Sequence, residues 1–216
     1  MAAPTSRLSA RPSAGWPALV VVFALAVYLL PSVGAALVYD RSAIFTGELW
    51  RLVTGHWVHF SASHLFYDAT VLGITGWIIE SRGYRYFAAL CLLSALSISL
   101  VMLVLLPDMA YYGGLSGIAM ASTVYLALQG LREPSPWRGV SLFVLLLCIG
   151  KIIVDATIGH FALVVFEGDL VVVPLSHLVG AASGFVLYLW SAMNRPHFFE
   201  STGPGLALQH YEETKV

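Results

Sequence analysis

The chain has 216 residues, of which 58% are hydrophobic and only 11% are charged. Because soluble globular domains carry about 25% charged residues, this composition excludes an ordinary soluble domain and predicts a helical protein that crosses a membrane several times. The formal net charge of −1 argues against a nucleic-acid partner. The expected partner is the lipid bilayer, as the hydrophobic composition indicates.

Six apolar segments predict six membrane-spanning helices. Each segment is near the ~20 residues needed to cross a hydrocarbon core of ~30 Å. The helices are expected at 17–38, 64–80, 84–106, 115–131, 138–158 and 174–193. Prolines, which stop or start helices, fall at or near many of the proposed ends, namely Pro107, Pro134, Pro136, Pro174 and Pro196.

These segments divide the chain into an N-terminal tail at 1–16, a membrane domain at 17–193 and a C-terminal tail at 194–216. The membrane domain includes a polar, aromatic outer loop at 39–63 that is too long for a simple turn. The first segment is too long for the apolar core of a signal peptide, so we expect it to be retained. The two cysteines lie inside apolar segments and are expected to be buried hydrophobes rather than a disulfide or metal site.

The positions of Lys and Arg predict that both termini are cytoplasmic. With the N-terminus inside, eight of the eleven basic residues fall on the cytoplasmic side, and only Arg41 and Arg51 fall outside. The fourth helix then begins on the outer side at Ser116, and its ~15 residues span only ~22 Å. Ser116 is therefore expected to lie below the outer membrane surface.

Unusual polar residues share this outer layer in four of the predicted helices: His64, Asp68, Ser116, Lys151, Asp155 and His177. Ionisable groups at membrane depth are costly and therefore indicate function. Because the inner halves of the same helices are apolar, we expect a water-accessible pocket that opens outward.

Ser116 is the candidate nucleophile. Gly113, Gly114 and Gly117 surround it, which permits unusual backbone conformations and leaves space beside the hydroxyl. A helix N-terminus offers free backbone N–H groups that can stabilise an oxyanion. The alternative is that these small residues form only a helix-packing face.

His177 supplies the group that a serine nucleophile needs, a base that accepts a proton near neutral pH. Gly180 and Gly184 follow it and predict a helix that approaches a neighbour closely. Close approach to the fourth helix would bring the imidazole within reach of Ser116. The alternative is a histidine that hydrogen-bonds between helices for packing alone.

His64 and Asp68 are four residues apart and are expected on one helix face, as oxyanion donors or as a pair that holds the second helix. His56 and His59 are expected to be structural residues of the interfacial loop. A metal site formed by the three histidines is disfavoured because their spacing is irregular, so no metal is predicted.

Two further pairs have structural interpretations. Lys151 and Asp155 are four residues apart, and we favour an ion pair over a substrate contact. Trp50 and Arg51 are expected to anchor the outer loop at the lipid headgroups.

Taken together, these residues resemble the rhomboid family of intramembrane serine proteases. The resemblance covers about 47–190, and its motifs are Glu48-x-Trp50-Arg51, His64, Gly114-x-Ser116-Gly117 and His177-x-x-Gly180-x-x-x-Gly184. It implies an all-α, six-helix rhomboid-like bundle and a serine endopeptidase without cofactor. The implied catalytic group is a dyad of Ser116 and His177 without a third, acidic member, and His64, Asp68 and Gly114 are implied at the oxyanion and substrate side.

The segment 47–56, together with a lysine followed by an acidic residue in the fifth helix, looks most like the rhombosortase branch. This branch implies clients with a C-terminal Gly-Gly sorting tail. The expected substrates are single-span or C-terminally tail-anchored proteins cut near the outer membrane face. The implied location is the bacterial inner membrane, with the site open to the periplasm.

One residue departs from the family pattern. Rhomboid proteases usually have His-x-x-x-Asn in the second helix, whereas this chain has His64 and Asp68. A protonated Asp68 could donate to the oxyanion, it could pair with His64, or the helix could direct it elsewhere. The substitution also leaves open a second class, a non-catalytic rhomboid-like protein that binds transmembrane clients. A channel or transporter is disfavoured, since no internal repeat or pair of broken helices is evident.

Overall fold

The structure, a computed structural model, describes residues 15–158 and 173–194, and it begins with a broken helix. Helix α1 covers Gly15–Leu29 and helix α2 covers Pro31–Leu37, and the two are bent by 111°. The prediction of one continuous helix over 17–38 is therefore wrong. Pro31 has no N–H to donate and disfavours a helical Leu30, whose φ of −121° and ψ of 82° are not helical.

The predicted outer loop at 39–63 is a folded unit with short elements. It contains strand β1 (Tyr39–Asp40), helices α3 (Arg41–Phe45) and α4 (Arg51–Thr54), and one 3₁₀ turn (Gly55–Trp57). Strand β1 pairs in antiparallel register with strand β2 (Tyr111–Tyr112), which lies far along the chain. This pairing ties the loop to the segment that precedes Ser116.

Arg51 holds this loop from inside and does not anchor it at the lipid headgroups, so that part of the prediction is wrong. Its side chain is buried and donates to the carbonyls of Ala35 (3.1 Å) and Val38 (2.8 Å) and to the Glu48 carboxylate (2.6 Å). The carbonyls near the C-terminal end of a helix have no hydrogen-bond donor within that helix, and here the guanidinium is their donor. Trp50, by contrast, is exposed.

We expect Arg51→Met to loosen the loop. The substitution leaves two carbonyls and a carboxylate without their donor, so the free energy of unfolding in detergent should fall by about 2 kcal/mol. Thermal unfolding measures the change. Arg138→Met is the matched control, because exposed Arg138 makes one hydrogen bond, to the Leu131 carbonyl. Equal stability of the two variants would contradict the assignment.

The longer helices follow the predicted segments closely. They are α5 (Ala62–Ser81), α6 (Phe87–Leu105), α7 (Ser116–Gly130), α8 (Trp137–Ile158) and α9 (Pro174–Met193). Pro174 is the first residue of α9, and Ser61 caps α5 by accepting a hydrogen bond from the His64 amide. The prediction of a mostly helical protein is confirmed.

Three helices of the described residues are long and apolar enough to cross a membrane: Phe87–Leu105, Trp137–Thr157 and Pro174–Met193. The bent pair α1 and α2 makes a fourth if it crosses as one span. Helix α8 exposes Leu142, Phe143, Leu146 and Leu147, as expected for a surface that faces lipid. The count of six spans and the cytoplasmic termini stay predictions, and most of both tails and of the loop at 159–173 lies outside the described residues.

Helix α7 lies at the centre of the bundle and packs against α5, α6, α8 and α9. The buried core around it includes Leu72, Leu90, Ile118 and Tyr125. Thr75 on α5 and Ser122 on α7 are joined by a buried hydroxyl pair at 2.6 Å. Cys91 and Cys148 are free and buried, as predicted.

Candidate active site

Ser116 is the first residue of α7, and glycine is required just before it. Gly114 has a φ of +126°, and a Cβ there would lie 2.6 Å from the His64 ring. Residues with a side chain rarely adopt this φ, and a side chain here would also collide with His64. Glycine is therefore needed for the chain to pass close to His64 and to begin α7 at Ser116. Ser116 is partly exposed, as a nucleophile must be.

Helices α7 and α9 approach until their backbones touch. A Cβ at Gly180 would overlap the Gly117 carbonyl oxygen, and one at Gly184 would overlap the Ala121 carbonyl oxygen. The predicted stripe of small residues is thereby confirmed. A Cβ at Gly117 would lie 2.9 Å from the Ser176 carbonyl oxygen, so the start of α7 faces the start of α9.

His177 lies in this contact and is held from the far side by α8. Its ring is buried, and its Nδ1 lies 2.7 Å from Asp155 Oδ2. The other oxygen, Oδ1, accepts a hydrogen bond from Lys151, so the predicted ion pair is present. The sequence analysis missed the contact of Asp155 with His177, although both residues had been assigned to the outer layer.

Within the described residues, 15–158 and 173–194, the Ser116 and His177 side chains are not joined by a hydrogen bond. Their helices meet at backbone distance, and catalytic hydrogen bonds in substrate-free enzymes are often long and tighten only when substrate binds. Ser116 also lies beside the Tyr112 hydroxyl, which donates to the Gly114 carbonyl at 3.4 Å. Burial raises the pKa of Tyr112 above its usual value, so this phenol stays a neutral donor.

His64 and Asp68 meet on one face of α5, with His64 Nε2 3.2 Å from Asp68 Oδ2. Of the three alternatives for Asp68, pairing with His64 is the one observed. His59 joins the pair, because its Nε2 lies 3.3 Å from the same oxygen and accepts a hydrogen bond from the Leu115 amide at 3.4 Å. This cluster of His59, His64 and Asp68 therefore touches the turn that leads into Ser116.

His56 and His59, which were predicted to be structural residues of the interfacial loop, are both buried inside the protein. His56 is fully buried, and its Nε2 lies 3.0 Å from the Ala95 carbonyl and 3.1 Å from Ser99 Oγ. Burial lowers the pKa of His56 to about 4, so the ring is neutral and has a structural role. His59 is also buried and belongs to the site.

The family model for the rhomboid domain matches residues 46–193, which is more than half of the chain. The chain belongs to the rhomboid family. Members of this family are in general intramembrane serine proteases, and the match together with the apolar helices makes this a multi-pass membrane protein. No curated protein matches the chain.

Within this rhomboid domain, the roles of Ser116, His177, His64, Asp68 and Gly114 stay predictions. The geometry shows how these residues are grouped. Helices α7 and α9 touch next to Ser116 and His177, and α5 brings His64 and Asp68 against Gly114. The predicted pocket that opens outward also stays a prediction. A cavity of about 340 Å³ lies elsewhere, between α5, α7 and α8, and its lining is apolar apart from a few side chains such as Arg82 and Thr123.

The cluster of His59, His64 and Asp68 has donors of the type that hold a transition metal. Their ligand atoms lie within 4.8 Å of one another, and all three residues are buried. The same side chains also contact one another and the Leu115 amide, which accounts for their positions through hydrogen bonding. No step of the chemistry proposed for this rhomboid protein requires an ion there.

Asp68 is expected to hold the His64 ring rather than to act on substrate, because His59 Nε2 accepts from the Leu115 amide and has no proton to donate to the carboxylate. Asp68→Asn keeps an oxygen acceptor beside His64 and restores the residue usual in the family, so the rate at which Ser116 is labelled should change by less than about tenfold. Asp68→Ala removes the acceptor and should slow the labelling of Ser116 by more than about tenfold. Labelling with a serine-reactive fluorophosphonate measures both rates. Equal rates for Asp68→Ala and the wild type would contradict this role.

Proposed function

We propose that this protein is an intramembrane serine endopeptidase that cuts transmembrane segments of client proteins near the outer membrane face. The observation that carries the proposal is the backbone contact of α7 and α9 at Gly117 and Gly180. In a chain of the rhomboid family, that contact between the starts of the two helices supports Ser116 as the candidate nucleophile and His177 as the candidate base.

The proposed reaction begins when His177 takes the proton of the Ser116 hydroxyl. Ser116 Oγ then attacks the exposed carbonyl carbon of the client to give a tetrahedral intermediate. When this intermediate collapses, the peptide C–N bond breaks, His177 returns the proton to the leaving amine, and an acyl-enzyme remains. Free backbone N–H groups in the first turn of α7, together with His64, stabilise the oxyanion. Water from the outer side hydrolyses the ester and releases the second product.

A finer proposal concerns the clients and the membrane. Resemblance to the rhombosortase branch favours single-span or tail-anchored clients with a C-terminal Gly-Gly sorting tail. The location proposed with it is the bacterial inner membrane with the site open to the periplasm, in keeping with the charge bias that places most Lys and Arg on the opposite side.

Reconstitution of the full chain in proteoliposomes tests the proposal. Single-span clients with and without a Gly-Gly tail are added, and mass spectrometry identifies the released products. A product cut within a transmembrane segment near its outer end supports the protease, and preference for tailed clients supports the branch. Stable binding of clients without cleavage, and without fluorophosphonate labelling, would instead favour the non-catalytic binder that the Asp68 substitution leaves open.

A further inference from the structure

The contact between Asp155 and His177 has no counterpart in a simple serine–histidine dyad. The Asp155 side chain is 2% exposed and that of His177 is 7% exposed. Asp155 Oδ2 lies 2.7 Å from His177 Nδ1, while Oδ1 accepts from Lys151. One carboxylate therefore joins a charged lysine on its own helix to the imidazole of the next helix.

This arrangement fixes which ring nitrogen carries the proton. An ionised carboxylate can only accept hydrogen bonds, so a neutral His177 must carry its proton on Nδ1. The lone pair is then on Nε2, the nitrogen directed away from Asp155. In that tautomer Nε2 is the nitrogen that can accept a proton as a general base.

We propose that Asp155 is a positioning residue that completes a serine–histidine–aspartate relay with His177 and Ser116. It holds the proton on Nδ1, orients the ring, and stabilises the imidazolium that forms during catalysis. The inference rests on the proposed protease function and adds to it an acidic member from α8.

Proton transfer from Ser116 accompanies its attack on the client. The Oγ–H bond of Ser116 breaks and an Nε2–H bond forms on His177, while the Oγ electron pair bonds to the client carbonyl carbon and the carbonyl π pair moves to oxygen. The new imidazolium faces the Asp155 carboxylate, and among the described residues Lys151 behind it on α8 and Asp68 on α5 are the other charged groups close enough to act on it. Asp155 does not itself take the proton.

The competing explanation is an ion pair that only fixes α8 in place. In that case loss of either partner, Lys151 or Asp155, should have the same effect on activity. A relay predicts different effects, because only Asp155 contacts the ring.

The test uses the full chain in proteoliposomes and measures the rate of Ser116 labelling by a fluorophosphonate, and client cleavage, across pH. Asp155→Asn should lower the labelling rate and kcat by about 10²–10⁴-fold with little change in KM. In this variant, the acid limb of the pH–rate profile, where protonation of His177 stops the reaction, should move to lower pH. The reason is that the imidazolium loses a neighbouring negative charge and forms less readily. Asp155→Glu should recover part of the rate.

Two further variants separate the explanations. Lys151→Met should cost at most about tenfold, and its acid limb should move to higher pH, because a positive charge near the imidazolium is removed. Asp40→Asn is the matched control for the aspartate substitution, since half-buried Asp40 lies in the outer loop, where its carboxylate caps α3 and accepts from the Ser42 hydroxyl, and it should leave the rate unchanged. An equal loss in Lys151→Met and Asp155→Asn, or an unchanged acid limb in Asp155→Asn, would overturn the relay.

The outcomes also separate this inference from the proposed function. Labelling that depends on Ser116 but not on Asp155 would reject the relay and leave the protease standing. If the wild type neither labels nor cleaves, the protease proposal fails, and ¹⁵N NMR of His177 still decides the contact: an Nδ1–H tautomer lost in Asp155→Asn supports it, and an Nε2–H tautomer in the wild type rejects it.

Discussion

Ser116→Ala is expected to abolish client cleavage, with a loss of at least about 10⁴-fold in kcat. The substitution removes the hydroxyl that we propose forms the acyl-enzyme, and what would remain is water attack assisted by the backbone N–H groups of α7. Ser116 is partly exposed at the first residue of α7, and its side chain lies beside the Tyr112 hydroxyl, a contact whose loss should cost only about 1 kcal/mol. The fold should therefore be unchanged.

The control for this substitution is Ser122→Ala on the same helix. Ser122 is fully buried and bonds to Thr75 and to the Ala119 carbonyl, so its loss should lower the thermal stability slightly and spare the labelling reaction. Client cleavage and fluorophosphonate labelling measure the two variants side by side. Retained cleavage in Ser116→Ala would remove this residue as the nucleophile.

Gly180→Val is expected to separate α7 from α9 and to cost both stability and activity. A Cβ at this position overlaps the Gly117 carbonyl oxygen, and a helix backbone atom cannot move aside as the end of a side chain can. Overpacking of this kind costs about 3 kcal/mol or more in the free energy of unfolding. Because His177 is one turn away on the same helix, the labelling rate of Ser116 should fall with it.

Gly150→Val is the matched control, because a Cβ at Gly150 on α8 meets nothing within 4 Å. Thermal unfolding in detergent and the labelling rate distinguish the two variants. A Gly180→Val protein with wild-type stability would mean that α7 and α9 do not touch where the structure places them. A variant that is stable but unreactive would point to a shift of His177 alone.

The membrane class and most helix positions could be read from the chain because they depend on local properties. A helix in lipid must satisfy its own backbone and present apolar side chains, so long apolar segments mark α6, α8 and α9 directly. The same reading failed at Leu30, where Pro31 breaks the first segment inside a continuous apolar run. Hydropathy carries no information about that bend.

The outer loop shows a different limit. Arg51 has the composition of a headgroup anchor, yet it is buried against carbonyls that precede it by 13 and 16 residues. His59 has the sequence context of a loop residue, yet it reaches Asp68 and the Leu115 amide, which is 56 residues away. Such contacts depend on how the chain returns upon itself, and spacing within one segment cannot indicate them.

By itself the sequence determined that this is a helical membrane protein of the rhomboid type. It also pointed to Ser116 as the candidate nucleophile, to His177 as the candidate base, and to small residues beside them that allow close packing. Those features follow from side-chain chemistry and from the period of one helix. Only the tertiary structure decided that Asp155 meets His177 and that His59 joins His64 and Asp68. The partners lie on different segments, so their meeting is fixed by the packing of α8 on α9 and of the loop on α5.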